Sequence, residues 1–372
     1  MSHTIDLMGL QLKNPIMTAS GPWAGDAVGI QRCIDAGAAA VITETISLEA
    51  KQRISPRLFC DDDGLFNTML YSNMHLEEWE EELSTIDRKD AKLICSIWGS
   101  TASEIAYLSK KVEHMGADAI EISISAPIGS RNLRMLRHSC DIQEFMGAAV
   151  KAVDIPVMVK LSYEAASSPN FLRELELSGI RAVSAIDALK GLAGVDIENQ
   201  RSLMPTYGGY TGQHIRPVSL ATTAALHQYT PLQVVSSGGV LDHETAIEFL
   251  MLGATAVQLA SAILCSGYGI ITEIVRNLEH WLTEHGYSSV DTLRGTALRS
   301  LRAFEDIVPR SLCASVNEKC RRTECLICAQ SCLQDAVYLD EAGTIAIDPD
   351  RCDGCGLCVE RCPHGLLTLE WR

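Results

Sequence analysis

Basic charge is what this sequence of 372 residues most clearly lacks: 31 lysines and arginines stand against 47 aspartates and glutamates, a net charge of −16 at neutral pH. So acidic a chain offers little to nucleic acid or to an anionic membrane, both of which bind basic surface. Long apolar runs are missing too. No stretch approaches the roughly 18 unbroken apolar residues of a membrane span, so no span is expected. The opening MSHTIDLMGL has neither the basic n-region nor the apolar h-region of a signal peptide. The expected location is the cytoplasm. No G-x-G-x-x-G follows an apolar run, which leaves no dinucleotide site of the Rossmann kind. Aromatic residues reach only 5%, yet hydrophobic residues make up 47% and glycine occurs 27 times, the composition of a packed chain with a large core. That length suits roughly two domains of about 150 residues each.

Cysteine is not scattered as a disulfide framework would be. Eight of the 14 crowd residues 320–372, while Cys33, Cys60, Cys95, Cys140, Cys265 and Cys313 show no pairing rhythm. That distribution suggests metal. Cys352, Cys355, Cys358 and Cys362, followed by Pro363, reproduce the bacterial ferredoxin run C-x2-C-x2-C-x3-C-P. Cys320, Cys325, Cys328 and Cys332 keep the last two gaps, but the first gap is four residues wide and Leu333 replaces the proline. In two-cluster ferredoxins the fourth cysteine of each run ligates the other cluster. Carried over, one 4Fe-4S cluster takes Cys320, Cys325, Cys328 and Cys362, and the other takes Cys352, Cys355, Cys358 and Cys332. Zinc, the alternative for paired C-x2-C, needs only four ligands, whereas four cysteines recur here twice at ferredoxin spacing. The stretch DAVYLDEAGTIAIDPDRC between the strings supplies the short hairpin expected between ferredoxin halves.

Upstream, eight short runs rich in Val, Ile and Ala each precede a longer helical stretch: PIMTAS, AAVITET, KLICSIW, AIEISIS, PVMVKLS, AVSAID, LQVVSSGG and AVQLASAI. Continuous apolar runs read as strands buried on both faces, and their alternation with helices predicts a parallel sheet. Eight units match a closed (β/α)8 TIM barrel better than an open doubly wound sheet. The expected organisation is therefore a barrel over residues 1–311 and a small α+β ferredoxin-like domain over 312–372. Barrels place their active sites at the carboxyl ends of the strands. Small, hydroxylated and glycine residues gather there, among them Ser20, Thr45, Ser123, Gly238, Gly239 and Ser261.

A barrel fused to an electron carrier calls for a redox cofactor, and without a dinucleotide motif FMN is the natural candidate. Its phosphate suits the loops after strands seven and eight, where SSGG at 236–239 and ASA at 260–262 stand, with GGYTG at 208–212 as a third glycine loop. Lys160, ending strand five, can stabilise an anionic reduced flavin by its charge.

Seven segments then carry a resemblance over nearly the whole chain: NPIMTASGP, TETISLEAKQRISPR, NTMLYSN, GADAIEISISAP, PVMVKLS, YGGYTGQHIRP and SSGGVLDHETAIEFLMLGATAVQLASAI. The sequence resembles the dihydroorotate dehydrogenase superfamily of FMN barrels, and in particular the FMN barrel with two-cluster ferredoxin found in dihydropyrimidine dehydrogenase. The resemblance implies that FMN contacts Ala19, Ser20, Thr45, Asn67, Lys160, Gly209, Gly212, Gly238, Gly239, Ala260 and Ser261. It also implies oxidation or reduction of a carbon-carbon bond next to a carbonyl, with electrons exchanged through the clusters with an external partner, either an NAD(P)H-oxidising FAD subunit or a soluble ferredoxin. A homo- or hetero-oligomer is expected.

Three departures fall where the family binds substrate. The strand-four motif N-x-S-C-P or N-x-S-S-P reads SISAP here, with Ser123 at the asparagine and Ala126 at the proton donor; the strand-two lysine is Glu44, and the strand-six asparagine is Asp187. Alanine cannot donate a proton. Glu44 or Asp187, desolvated beside a flavin, is then a candidate acid, with Cys140 and His138 as weaker ones. Asn67, Ser123 and Ser125 are candidate substrate contacts. So are Arg131, Arg134 and Arg137, in a segment PIGSRNLRMLRHS that has no acid at all, which points to an anionic substrate. The competing reading is an electron-transfer subunit whose flavin only relays electrons.

Overall fold

A computed structural model of the chain describes residues 3–61, 64–124, 139–308, 310–317, 320 and 325–371. The chain divides into two units, Met1–Leu301 and Arg302–Arg372.

The first unit is a closed barrel of eight parallel strands. They are β1 (Ile16–Thr18), β2 (Ala40–Ile42), β3 (Lys92–Ile97), β4 (Ala119–Ser123), β5 (Val157–Leu161), β6 (Ala182–Ala185), β7 (Gln233–Ser236) and β8 (Ala256–Leu259). Each of the eight apolar runs holds one strand, and each strand pairs with its sequence neighbours, β8 closing onto β1. Burial on both faces explains the continuous apolar reading: β1, β2, β4, β5, β6 and β8 have no residue outside the core.

Amphipathic helices cover the strands and start at side-chain caps. Asp26 accepts from the Gly29 N–H ahead of helix Ala27–Asp35, Thr101 from Glu104 ahead of Ala102–His114, and Asp242 from Thr245 ahead of His243–Met251. At the amino end an antiparallel hairpin, Ile5–Leu7 with Leu10–Leu12, is tied to the foot of β7: the Met8 N–H donates to Gln233 Oε1 at 2.6 Å. The opposite end carries a four-stranded antiparallel sheet in the order Leu189–Gly191, Gly208–Thr211, Gly64–Asn67, Leu58–Asp61. The stretch expected as a glycine loop, GGYTG, is thus mostly a strand. Gly208 permits its close pairing, because a Cβ there would lie 2.6 Å from the Asn67 carbonyl oxygen.

The second unit pairs Leu312–Val316 with Leu367–Trp371 and folds the linking stretch into the expected hairpin, Val337–Leu339 with Ile345–Ile347. Its core is small: Ala314, Cys328, Val337, Ile345, Cys358 and Leu367. No helix among the described residues is long and apolar enough to cross a membrane.

Trp79 links core to site. Fully buried on helix Leu76–Ser84, it donates its indole N–H to Ser72 Oγ at 3.1 Å, and Ser72 in turn donates its N–H to the Thr45 carbonyl at the end of β2. Trp79→Ala is expected to lower the unfolding free energy of the barrel by roughly 3–5 kcal/mol, measured by urea titration of the purified protein.

Candidate active site

At the carboxyl ends of the strands lies a cavity of about 480 Å³, within the range of cofactor and substrate pockets. Ala19, Ser20, Glu44, Thr45, Asn67, Ser123, Lys160, Asp187, Gly212, Gly238, Gly239, Ala260 and Ser261 all line it. The rim glycines are needed there. Gly238 and Gly239 have φ of +106° and +87°, and a Cβ would lie 2.3 Å from Ser219 Oγ at the first and 2.9 Å from the Arg216 backbone nitrogen at the second. Gly21, outside the left-handed region, leaves its space to the indole of Trp23, whose N–H donates to the Ala19 carbonyl at 2.8 Å.

Lys160 is 5% exposed and donates to Ser237 Oγ at 2.9 Å and Gln258 Oε1 at 2.5 Å. Asn67 is clamped at both ends of its amide, accepting from the Met69 N–H and donating to the Gly209 carbonyl, each at 3.3 Å. Gly209 therefore braces Asn67 from the strand and is not itself part of the cavity wall. Thr45 and Ser96 share a hydroxyl hydrogen bond of 2.9 Å.

The two carboxylates differ. Glu44 is buried and accepts from Arg53 Nη2 at 3.0 Å; burial pushes its carboxyl above the ordinary value, and the Arg53 charge and hydrogen bond offset that only in part. Asp187 is half-buried and accepts from the Ala188 N–H at 2.9 Å. Beside them stand two groups that sequence reasoning did not single out. Tyr71 stacks on Trp98 at 4.5 Å between ring centroids, and its buried hydroxyl, like that of Thr68, has no hydrogen-bond partner among the described residues. Burial, seconded by the Asp187 charge, raises the Tyr71 phenol and keeps it protonated. The available signal was the segment NTMLYSN itself, where a phenol and a hydroxyl flank the asparagine. Ser125, Ala126, Arg131, Arg134, Arg137 and His138 lie outside the described residues, as does the side chain of Cys140 on helix Ser139–Ala152.

In the second unit Cys320, Cys325, Cys328 and Cys362 surround one small cavity. Cys352, Cys355 and Cys332 all act on the Cys358 thiol, which burial first and then their charges push up. Backbone N–H groups point at sulfur: Ala336 donates to Cys332 at 3.2 Å, and Ala314 and Leu366 to Cys352 and Cys362 at 3.4 Å. Burial alone would raise Cys362, but the N–H groups around it, Leu366 foremost, outweigh burial and hold the thiol low, which favours the thiolate that metals bind.

The sequence pattern of the dihydroorotate dehydrogenase family matches residues 2–282, more than half of the chain. The chain belongs to that family. A 4Fe-4S binding domain matches residues 345–368. Similar relatives are the catalytic subunits of dihydroorotate dehydrogenase B (NAD(+)) from three archaea. That of Pyrococcus abyssi is 30% identical over 298 residues, 79% of this chain and 99% of that protein; that of Thermococcus kodakarensis is 32% identical over 302 residues, 79% and 98%; that of Methanosarcina mazei is 32% identical over 296 residues, 78% and 94%. The chain is an FMN-dependent oxidoreductase acting on CH–CH groups, with a 4Fe-4S domain at its carboxyl end. The cavity suits FMN in that Lys160 brings a cation to its wall.

Glu44 gives the site a pH signature. Burial favours the neutral acid, so the folded chain holds this proton more tightly than the unfolded chain does. Its contribution to stability is full below the ordinary 4.5 and is lost as pH rises through the raised value. Glu44→Gln should remove that decline, read as a flatter dependence of the urea midpoint on pH above 4.5.

Proposed function

We propose that this protein oxidises or reduces a carbon-carbon bond next to a carbonyl in an anionic substrate other than dihydroorotate, exchanging electrons with an external partner through two 4Fe-4S clusters. The observation that carries the proposal is the convergence on one cavity of a buried lysine, a clamped asparagine, a glycine rim and two carboxylates. FMN would be held by Ala19, Ser20, Thr45, Lys160, Gly212, Gly238, Gly239, Ala260 and Ser261, with Asn67 and, from behind it, Gly209. When bound it supplies hydride exchange with the substrate carbon. Lys160 would place its charge against the electron-rich edge of the ring, and Asn67 with Ser123 and Ser125 would orient the substrate.

Proton transfer needs a group that the family's donor position does not supply, since that position is Ala126. Glu44 suits the role best: it is buried, and its carboxyl lies above the ordinary value despite the charges of Arg53 and Arg57. Asp187, beside the Tyr71 phenol, and Cys140 remain the other candidates. An acid in place of the family's strand-two lysine offers no positive charge to a carboxylate at that point, so the anionic group of the substrate would be received elsewhere. The segment holding Arg131, Arg134, Arg137 and His138, with no acid among them, would receive it.

The cysteine sets support two clusters. Cys362 of the second string lines the small cavity with Cys320, Cys325 and Cys328, and Cys332 of the first acts on Cys358 together with Cys352 and Cys355, the crossed grouping that two clusters would use. The clusters would supply single-electron transfer. The relatives bear the name of a catalytic subunit of an NAD(+) enzyme. By that analogy the partner is an NAD(P)H-oxidising FAD subunit, with a soluble ferredoxin as the other choice, in a cytoplasmic hetero-oligomer.

Purified anaerobically, the protein should carry one FMN and about eight irons per chain; about four irons with zinc would refute the two-cluster assignment. Arg134→Gln with Arg137→Gln should raise KM for the true substrate about tenfold, about 1.4 kcal/mol, in steady-state assays with a panel of unsaturated acids and thioesters. Loss of coupling to the electron partner with KM unchanged would place those arginines at an interface.

A further inference from the structure

Glu121, on β4, has no exposed surface and takes no part in the reaction proposed above. Its Oε2 accepts from Ser184 Oγ at 2.6 Å and from Gln258 Nε2 at 3.0 Å. The other end of the Gln258 amide, Oε1, accepts from Lys160 Nζ at 2.5 Å. Lysine can only donate and a carboxylate only accept, so the amide between them has a single workable orientation. Ser237 fixes the second lysine proton, accepting at 2.9 Å while donating its own hydroxyl to the Ile186 carbonyl at 2.7 Å. Two of the three ammonium protons are thus committed. The third is left for the cavity that Lys160 lines.

A carboxylate is a costly way to satisfy one serine and one amide in a barrel interior. Glu121 Oε1 has no hydrogen-bond partner among the described residues, so the full acceptor capacity of the group is not used for packing. What a carboxylate does that an amide cannot is forbid the reversed Gln258. A glutamine at 121 would present both a carbonyl and an NH2, so the Gln258 amide would be oriented by the ammonium alone and no longer held from the 121 side.

We infer that Glu121 is a positioning residue for Lys160, acting through the Gln258 amide. Its charge fixes the amide, and the amide fixes where the ammonium stands against the flavin. This rests on the reading of Lys160 as the cationic partner of the flavin, and the two can be tested apart.

The readout is the dissociation constant of the sulfite complex of the bound flavin, which a cation near the ring strengthens, measured by difference absorbance on the holoprotein with FMN content checked first. Lys160→Met should weaken sulfite at least tenfold, Glu121→Gln roughly three- to tenfold, and the double variant no more than Lys160→Met alone, the non-additivity expected of groups acting in series. Where Glu121→Gln fails to fold or to hold FMN, Gln258→Met, which keeps the volume and removes both ends of the bridge, should show the same non-additivity. An unchanged sulfite affinity in these variants, or an effect that persists in full beside Lys160→Met, overturns the inference. No effect of Lys160→Met itself overturns the reading of Lys160, and with it the inference.

Discussion

An ammonium group 5% exposed at the carboxyl end of a parallel barrel is the constraint on which the rest of the first unit depends. Removing a charge from water is unfavourable unless hydrogen bonds and counter-charge replace the solvent. Here neutral oxygens of Ser237 and Gln258 take the protons, and the carboxylate is one amide further away. Direct pairing would have neutralised the lysine. Distance through an amide keeps the pair electrically related while leaving the positive end toward the cavity. The requirement spreads through the interior, where Glu121, Ser184 and Gln258 occupy places that Val, Ile or Leu usually fill.

The same cavity holds two carboxylates in different surroundings, and the difference divides their work. Glu44 is buried, and burial holds its carboxyl above the ordinary value, a shift that suits the acid role proposed for it. Asp187 is half-buried and spends one oxygen on the Ala188 backbone, while its charge adds to the burial that raises the neighbouring phenol of Tyr71. The two acids that replace basic and neutral residues of the family pattern are therefore not interchangeable: in the proposed reaction the more buried Glu44 suits proton transfer better, with Asp187 as an alternative.

The barrel was legible because parallel strands buried on both faces leave continuous apolar runs, and each of the eight runs holds a strand. Strand ends then located the cavity, since the residue closing a run is the residue at the rim. The small antiparallel sheet over that end was not legible. Its strands are three or four residues long, and GGYT reads as turn because the glycines serve close backbone pairing and not chain reversal. Arg53 escaped notice for a related reason: it comes to Glu44 from an irregular segment whose path no periodicity reports. The interior network did leave a trace. AIEIS, VMVKL and AVQL each carry one charged or amide residue inside a strand with no exposed face, and Glu121, Lys160 and Gln258 in such runs point to a shared interior network.

The second unit reverses the balance between core and ligands. Among the described residues its core cluster holds six buried residues, two of them cysteines, beside two short antiparallel pairings. So little apolar burial supplies only a small part of the stability a domain needs. The cysteines compensate through their connectivity. In the proposed ligation Cys362 joins the set of the first string and Cys332 that of the second, the grouping that the small cavity and the Cys358 surroundings support, and metal bound at either place would tie the beginning of the unit to its end. Free energy of ligation then becomes free energy of folding. A chain with each string closing on its own four cysteines would hold the same iron, yet its halves would be joined only by the weak core, so crossed ligation is the arrangement in which building the electron path also builds the domain.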